Sequence, residues 1–399
     1  MKRLLLILFA IHCSLFPVKA QVIDTVLNRA GDKPFLFSVA VPDGNYRVTV
    51  ILGAKKRTGQ TVVRAESRRH FVDMVSTKKG QYQTVSFVVN KHSPVIKESV
   101  DGSQESVVKL KPREVGYMNW DDSLNLSFCG PAPAVQRIRI EPDTSATTLF
   151  LCGNSTVVDQ EDEPWASWGQ MITRWFKPEV VVANYAESGL SCTSFLAQLR
   201  LDKILSQLKK GDYVIVEFGH NDEKEKKAGD GAWYSYSRNL KIFEDRVREA
   251  GGQIIFCTPT ARRFFNDDHQ TIKNTHGDYP EAMKTVARRE QVPVIDLTTM
   301  STAFYEALGE EGSKKSLVHY PANMFPGQDK PLADNTHFNP FGAWEIAKMV
   351  VMGLKLMNSP LAEYLRDDWQ DFDPACPDDP DAFVWHMSTG TSLTKPDGN

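Results

Sequence analysis

The stretch TTLFLCGNSTVVDQ, Thr147 to Gln160, runs an apolar segment straight into Gly153-Asn154-Ser155 and then into polar chain. A serine at the tip of a strand is a poor nucleophile until a base takes its proton, so it signals chemistry only where a histidine, an acid and oxyanion donors accompany it. Downstream, strand and helix patterns alternate. TTLFL leads to the helical stretch around PWASWGQMITRWF, VVVAN to SFLAQLRLDKILSQL, YVIVEFG to YSYSRNLKIFEDRVREA, IIFCTP to PEAMKTVARRE, and VPVIDL to a helix from about Ser301. Such short, continuous apolar strands are expected where helices cover both faces of a sheet. Residues 146–360 therefore read as a parallel α/β domain, whose sites lie at the carboxyl ends of the strands.

Those ends supply the missing parts. Ser155 follows the first strand, NYAESGLS with Gly189 follows the second, and GHND with Asn221 follows the third. Further on, LADNTHFNPFGA sets Asp334 three residues before His337, in an expected loop leading into the helix AWEIAKMVVMGLKLM. One loop then offers both an imidazole and a carboxylate to orient it.

Outward from this region the chain changes character. Before residue 145 come short runs rich in valine, threonine and aromatics: FLFSVAV, YRVTVIL, TVVRA, QTVSFVVN, LNLSFCG and VQRIRIEP. Asp43-Gly44-Asn45 reads as a hairpin turn between the first two, and residues 21–145 as a small β-sandwich that braces the second domain. Residues 1–20 carry Lys2-Arg3, an apolar run and Val18-Lys19-Ala20, the pattern of a signal peptide cleaved after Ala20, so an exported, periplasmic or secreted chain is expected. No later apolar run is long enough to span a bilayer. The remaining cysteines, Cys129, Cys152, Cys192, Cys257 and Cys376, are odd in number and widely spaced, which suggests neither a disulfide framework nor a zinc site. The tail, residues 361–399, is proline- and acid-rich and reads as surface-wrapping or mobile.

Over 399 residues, 47 basic side chains face 50 acidic ones, for a net charge of -3. That balance gives no global attraction for nucleic acid or an anionic membrane.

In order and placement, Ser155, Gly189, Asn221 and the Asp334/His337 pair resemble the four sequence blocks of the SGNH (GDSL-like) hydrolases, and in particular the rhamnogalacturonan acetylesterase group. TVVRAESRRHFVD, DQEDEPWASWGQM and FGHND extend the likeness to that group's two-domain bacterial members. The resemblance implies a flavodoxin-like three-layer α/β/α fold behind a galactose-binding-like β-sandwich, and a serine esterase that needs no metal or cofactor. By position, Ser155 would be the nucleophile, His337 the general base and then acid, and Asp334 the group that holds the imidazole. The backbone N–H groups of Ser155 and Gly189 and the Asn221 amide would form the oxyanion hole. One residue departs from the pattern: Asn154 stands where the family usually has aspartate, which leaves the triad intact.

Each feature has an ordinary explanation. Gly-Asn-Ser is a turn, Asp334-Asn335-Thr336 a helix cap, His337 a surface histidine and Asn221-Asp222 an ordinary loop. Four such coincidences in the family order are needed to dismiss them all. For His220 and the acidic run Asp159 to Glu163 the two explanations are evenly balanced: the histidine meets substrate or packs under its loop, and the acids serve a site or favour a helix entered at Pro164. Arg262 and Arg263, at the end of IIFCTP, are candidate readers of a galacturonate carboxylate, with pairing to an acid of the protein as the equal alternative. The expected activity is O-deacetylation of pectic polysaccharide or oligosaccharide. Acetylxylan or another acetylated glycan is the runner-up substrate, and a catalytically silent glycan-binding protein the alternative class.

Overall fold

The computed structural model describes residues 21–96 and 106–388, together with Lys395 and Asp397. The expected signal peptide lies outside the described residues.

The N-terminal part builds two antiparallel sheets from β1 (Ile23–Ala30), β2 (Phe35–Ala40), β3 (Gly44–Leu52), β4 (Gly59–Ala65), β5 (Arg69–Thr77), β6 (Gln83–Lys91), β9 (Ser123–Ala132) and β10 (Ala134–Pro142), with the short pair β7 (Val95–Ile96) and β8 (Ser106–Val107) beside them. The strand orders are β1-β10-β3-β6 and β2-β9-β4-β5. Alternating residues such as Val48, Val50 and Leu52 of β3, Val63 and Ala65 of β4, and Leu124, Leu126 and Phe128 of β9 meet in one apolar core, as strands with one buried face require. The hairpin expected at Asp43-Gly44-Asn45 does not form: β2 pairs with β9, whereas β3 pairs with β10 and β6. The chain crosses between sheets there, which lets both strands turn their apolar faces into the shared core. Strands β1 and β5 and the short pair β7 and β8 are additions to the six runs recognised in the sequence.

The second part is a five-stranded parallel sheet of β11 (Thr147–Cys152), β12 (Val180–Asn184), β13 (Tyr213–Glu217), β14 (Gln253–Cys257) and β15 (Val294–Ile295), in the order β12-β11-β13-β14-β15. Successive residues go to opposite faces: Leu149 and Leu151 join Val182, Ile215 and the helix α7 (Pro340–Leu356), while Phe150 and Cys152 join Val214, Val216 and Phe256 beneath α4 (Ser237–Glu249) and α5 (Tyr279–Glu290). This is a three-layer α/β/α arrangement. Because β12 lies on one side of β11 and β13 on the other, the chain reverses direction at β11, and the crevice at such a reversal is where open α/β sheets hold ligands. Ser155 stands there.

Several expected elements differ in detail. The helix anticipated from Pro164 is the short α1 (Trp168–Met171), capped by Ser167, followed by one tighter turn, Ile172–Trp175. The stretch 194–208 divides into α2 (Cys192–Ala197) and α3 (Arg200–Leu205), broken at Leu199, whose φ of 63° no helix continues through. The last connection runs from α6 (Leu297–Gly312) into an antiparallel pair, β16 (Leu317–Tyr320) and β17 (Leu332–Phe338). Asp334 and His337 are therefore on a strand, not in a loop.

The tail wraps the surface as far as Ser388. Leu361, Leu365 and Phe372 are buried against α7, and Trp385 returns to the N-terminal sheets, where the Arg64 guanidinium lies 3.5 Å from its ring centroid. The five cysteines from Cys129 onward are free thiols, Cys376 exposed and the others buried. Among the described residues, no helix is long and apolar enough to cross a membrane.

Candidate active site

The turn after β11 is held from within. The Asn154 carbonyl accepts the N–H groups of Val157 and Val158 at 3.0 and 2.9 Å, and its side-chain oxygen accepts the Thr156 N–H at 3.1 Å and hydroxyl at 3.0 Å. A Cβ at Gly153 would stand 2.4 Å from the Val157 side chain, so only glycine permits this close return of the chain. The turn presents Ser155, with its Oγ 2.8 Å from His337 Nε2. His337 Nδ1 lies 2.8 Å from Asp334 Oδ2, while Asp334 Oδ1 accepts the backbone N–H groups of Thr336 and His337 at 2.9 and 3.0 Å. The three-residue spacing thus has a physical reason: one carboxylate both shapes the backbone and orients the ring. With Nδ1–H donated to Asp334, Nε2 is left to accept the serine proton. Burial raises the Asp334 pKa, but the hydrogen bonds from the His337 ring and the two backbone N–H groups outweigh it and hold the carboxyl well below the ordinary range.

The loops after β12 and β13 come to the same place. Gly189 adopts a φ of 76°, open to glycine at little cost. The Asn221 amide nitrogen donates to Leu190 O at 3.0 Å and its oxygen accepts from Lys224 at 3.3 Å, which orients the amide and leaves a second N–H for an incoming oxygen. Asp222 accepts the backbone N–H groups of Cys192 at 2.8 Å and Gly219 at 3.0 Å, tying the two loops together; its burial pushes the carboxyl up to about 7.

Beneath the Ser155 turn lies a carboxyl that the sequence reading passed over. Glu217 ends β13, fully buried, and accepts from the Trp168 indole at 2.7 Å and stands 3.0 Å from the Thr156 hydroxyl. Burial drives its pKa up to about 7 against the pull of those bonds. A charge at the end of the apolar run YVIVE was the available signal.

His220 is buried, neither ring nitrogen having a hydrogen-bond partner among the described residues, and its ring packs edge-on to His276 at 4.6 Å. Burial, with the Arg262 guanidinium nearby, lowers its pKa well below the usual value, which disfavours the imidazolium. The two arginines of CTPTARRFF are bound into the protein. Arg262 pairs with Glu223 at 2.5 Å, and Arg263, buried, donates to Ser313 and Asn335 at 2.9 Å each and to the Glu310 carbonyl. The carboxylate-reading role thus finds Arg263 committed to its own chain and Arg262 already facing an acid. The acidic run has a structural role: Asp159 pairs with Arg69 at 2.5 Å, Glu161 accepts from Ser67, and Glu163 lies 3.6 and 3.7 Å from Arg64 and Arg68. These contacts join the strand-end loops to the N-terminal sheets.

A hydroxyl, an imidazole and a carboxylate in series at the carboxyl ends of a parallel sheet define a serine hydrolase. The GDSL-like Lipase/Acylhydrolase family model matches residues 151–344. The rhamnogalacturonan acetylesterase RhgT of Bacillus subtilis (strain 168) is 39% identical over 219 residues, 54% of this chain and 93% of its own length. The probable rhamnogalacturonan acetylesterase YesY of the same organism is 33% identical over 221 residues, covering 55% and 97%. The crystal structure of Bacillus subtilis YxiM is 22% identical, covers 84% of this chain and 88% of that one, and superposes with a TM-score of 0.47. The chain belongs to the GDSL-like (SGNH) hydrolases, in the rhamnogalacturonan acetylesterase group, and is a serine carboxylic ester hydrolase.

Proposed function

We propose that the protein removes O-acetyl groups from pectic rhamnogalacturonan through an acyl-enzyme on Ser155. The observation that carries the reading is the unbroken series Ser155–His337–Asp334, each link 2.8 Å. Ser155 Oγ attacks the acetyl carbonyl carbon while His337 Nε2 takes the hydroxyl proton, and Asp334 stabilises the imidazolium that results. The oxygen of the tetrahedral intermediate, now negative, is held by the backbone N–H groups of Ser155 and Gly189 and the Asn221 amide. Collapse breaks the bond to the sugar oxygen, which leaves with the proton from His337. Water then repeats the sequence on the acyl-enzyme and releases acetate. We keep His220 as the candidate sugar contact beside Asn221: its ring is buried, and neither ring nitrogen has a hydrogen-bond partner among the described residues.

The substrate class is supported by the relatives' names and the chemistry by the geometry. We further read residues 21–145 as a galactose-binding-like accessory domain, 146–360 as the catalytic domain, 361–399 as the tail, and 1–20 as a signal peptide that directs export. Acetate release should be measured from acetylated rhamnogalacturonan, acetylxylan and a small neutral acetyl ester. Fastest release from the first is the expected result. Preference for acetylxylan would overturn the substrate, and no release from any would overturn the enzyme.

A further inference from the structure

Opposite the committed arginines, a second basic pair borders Gly189. Lys111 caps the tight turn Pro112–Glu114 and Arg113 lies within it, between β8 and β9. Glu114 anchors that turn: it accepts the Lys111 backbone N–H at 2.8 Å and forms an ion pair with Arg200 at 2.5 Å, both side chains being wholly buried. Held by this base, Lys111 Nζ donates to the Ser188 carbonyl at 2.5 Å, and a Cβ on Gly189 would lie 3.0 Å from it. Arg113 turns its Nε edge to Glu187 at 3.2 Å. The two heads remain partly accessible, each side chain 21% exposed.

A carboxylate already sits on them. Asp397 Oδ2 is 3.0 Å from Lys111 Nζ and Asp397 Oδ1 is 3.3 Å from Arg113 Nη1, so two cations divide the oxygens of one carboxylate. Its Cβ lies 2.9 Å from where a Gly189 side chain would begin, against the residue that supplies an oxyanion donor. Chemically, Asp397 stands in for a carboxylate borne by a molecule in the site. Its own side chain is 50% exposed, as expected of a group that another carboxylate can displace.

We infer that Lys111 and Arg113 form a subsite for the uronate carboxylate of an acidic glycan, placed so that the sugar beside it presents its acetyl group to Ser155. The inference rests on the acetylesterase reading and adds to it the feature that selects an acidic backbone over a neutral one such as xylan. Charge-assisted hydrogen bonds to a carboxylate are the strong kind, and their fixed spacing adds geometric selectivity. Asp397, tethered to the chain, competes at high effective concentration.

The test uses full-length protein. Digalacturonate should competitively inhibit hydrolysis of a small neutral acetyl ester, Arg113→Gln and Lys111→Gln should each weaken that inhibition about tenfold, and Asp397→Asn should tighten it. On acetylated rhamnogalacturonan oligosaccharides, Arg113→Gln should raise KM several-fold more than on the neutral ester. Inhibition unaffected by all three substitutions, or an equal loss on both substrates, would overturn the subsite. Because Asp397 is exposed, its variant keeps the test valid if the others fold poorly. Failure of the pectin reading looks different: the wild type would hydrolyse the small ester and not the polymer, while digalacturonate inhibition would still score the subsite.

Discussion

Two basic pairs lie near the strand ends, and they behave oppositely. Arg262 and Arg263 follow β14 and are drawn into the protein by Glu223, Ser313, Asn335 and the Glu310 carbonyl. Lys111 and Arg113 come from a turn almost a hundred and fifty residues earlier and meet the half-exposed Asp397 carboxylate. A guanidinium is available to a ligand only when its neighbours leave donors free, and neighbours are a property of the fold. On our proposal, the side of the site carrying His337 and Arg263, a closed hydrogen-bond network, performs chemistry, and the side carrying Gly189 and Lys111, whose basic heads stay partly accessible, selects.

The largest expected effect bears on the chemical side. Ser155→Ala should leave thermal unfolding nearly unchanged and remove almost all acetate release from both the polymer and the neutral ester. Retained activity on either would break the division outright. Next, Asn221→Ala should lower kcat by about 10²–10³ on both substrates, the usual scale for one oxyanion donor. A change confined to KM would move Asn221 to the selecting side.

Arg263→Gln sharpens the contrast between the pairs. It leaves buried partners without their donors, at a cost of about 1–3 kcal/mol, so the melting temperature should fall and any loss of activity should be alike for acidic and neutral substrates. A loss specific to the acidic substrate would make the two pairs equivalent.

The smallest effect concerns the floor between the two sides. Glu217, raised from 4.5 to about 7, keeps its proton in the folded protein over a range where the unfolded chain has lost it. Folding therefore takes up a proton there, and this contribution to stability is full below about 4.5 and disappears as pH rises through about 7. Glutamine has no proton to lose. The melting temperature of Glu217→Gln minus that of the wild type should increase from pH 5 to pH 8, by a few degrees. A difference independent of pH would mean that Glu217 is ionised beneath the Ser155 turn.

The parallel sheet was legible because its signals are local: continuous apolar strands alternating with helical periodicity, and small residues where each strand ends. Asp334 and His337 were legible for the same reason, since three residues of chain bring one carboxylate to both the backbone and the ring. The expected hairpin at Asp43-Gly44-Asn45 failed because turn chemistry specifies a reversal and not the partner strand; two strands with matched apolar faces are equally satisfied by crossing to opposite sheets. The acids of 159–163 were equally opaque, their partners Arg64, Arg68 and Arg69 lying some ninety residues away.

By itself, then, the sequence determined the class of fold, the order of the strand-end loops and the residues that meet as the Ser155–His337–Asp334 series, because periodicity, turn chemistry and short-range hydrogen bonding act within a few residues. The tertiary structure alone decided which charges are free. Whether an arginine reads a ligand or braces a loop, whether a glutamate keeps its proton, and which distant turn borders Gly189 all depend on burial and on partners brought together by packing, and electrostatic energies change with those surroundings far more than with the identity of the side chain.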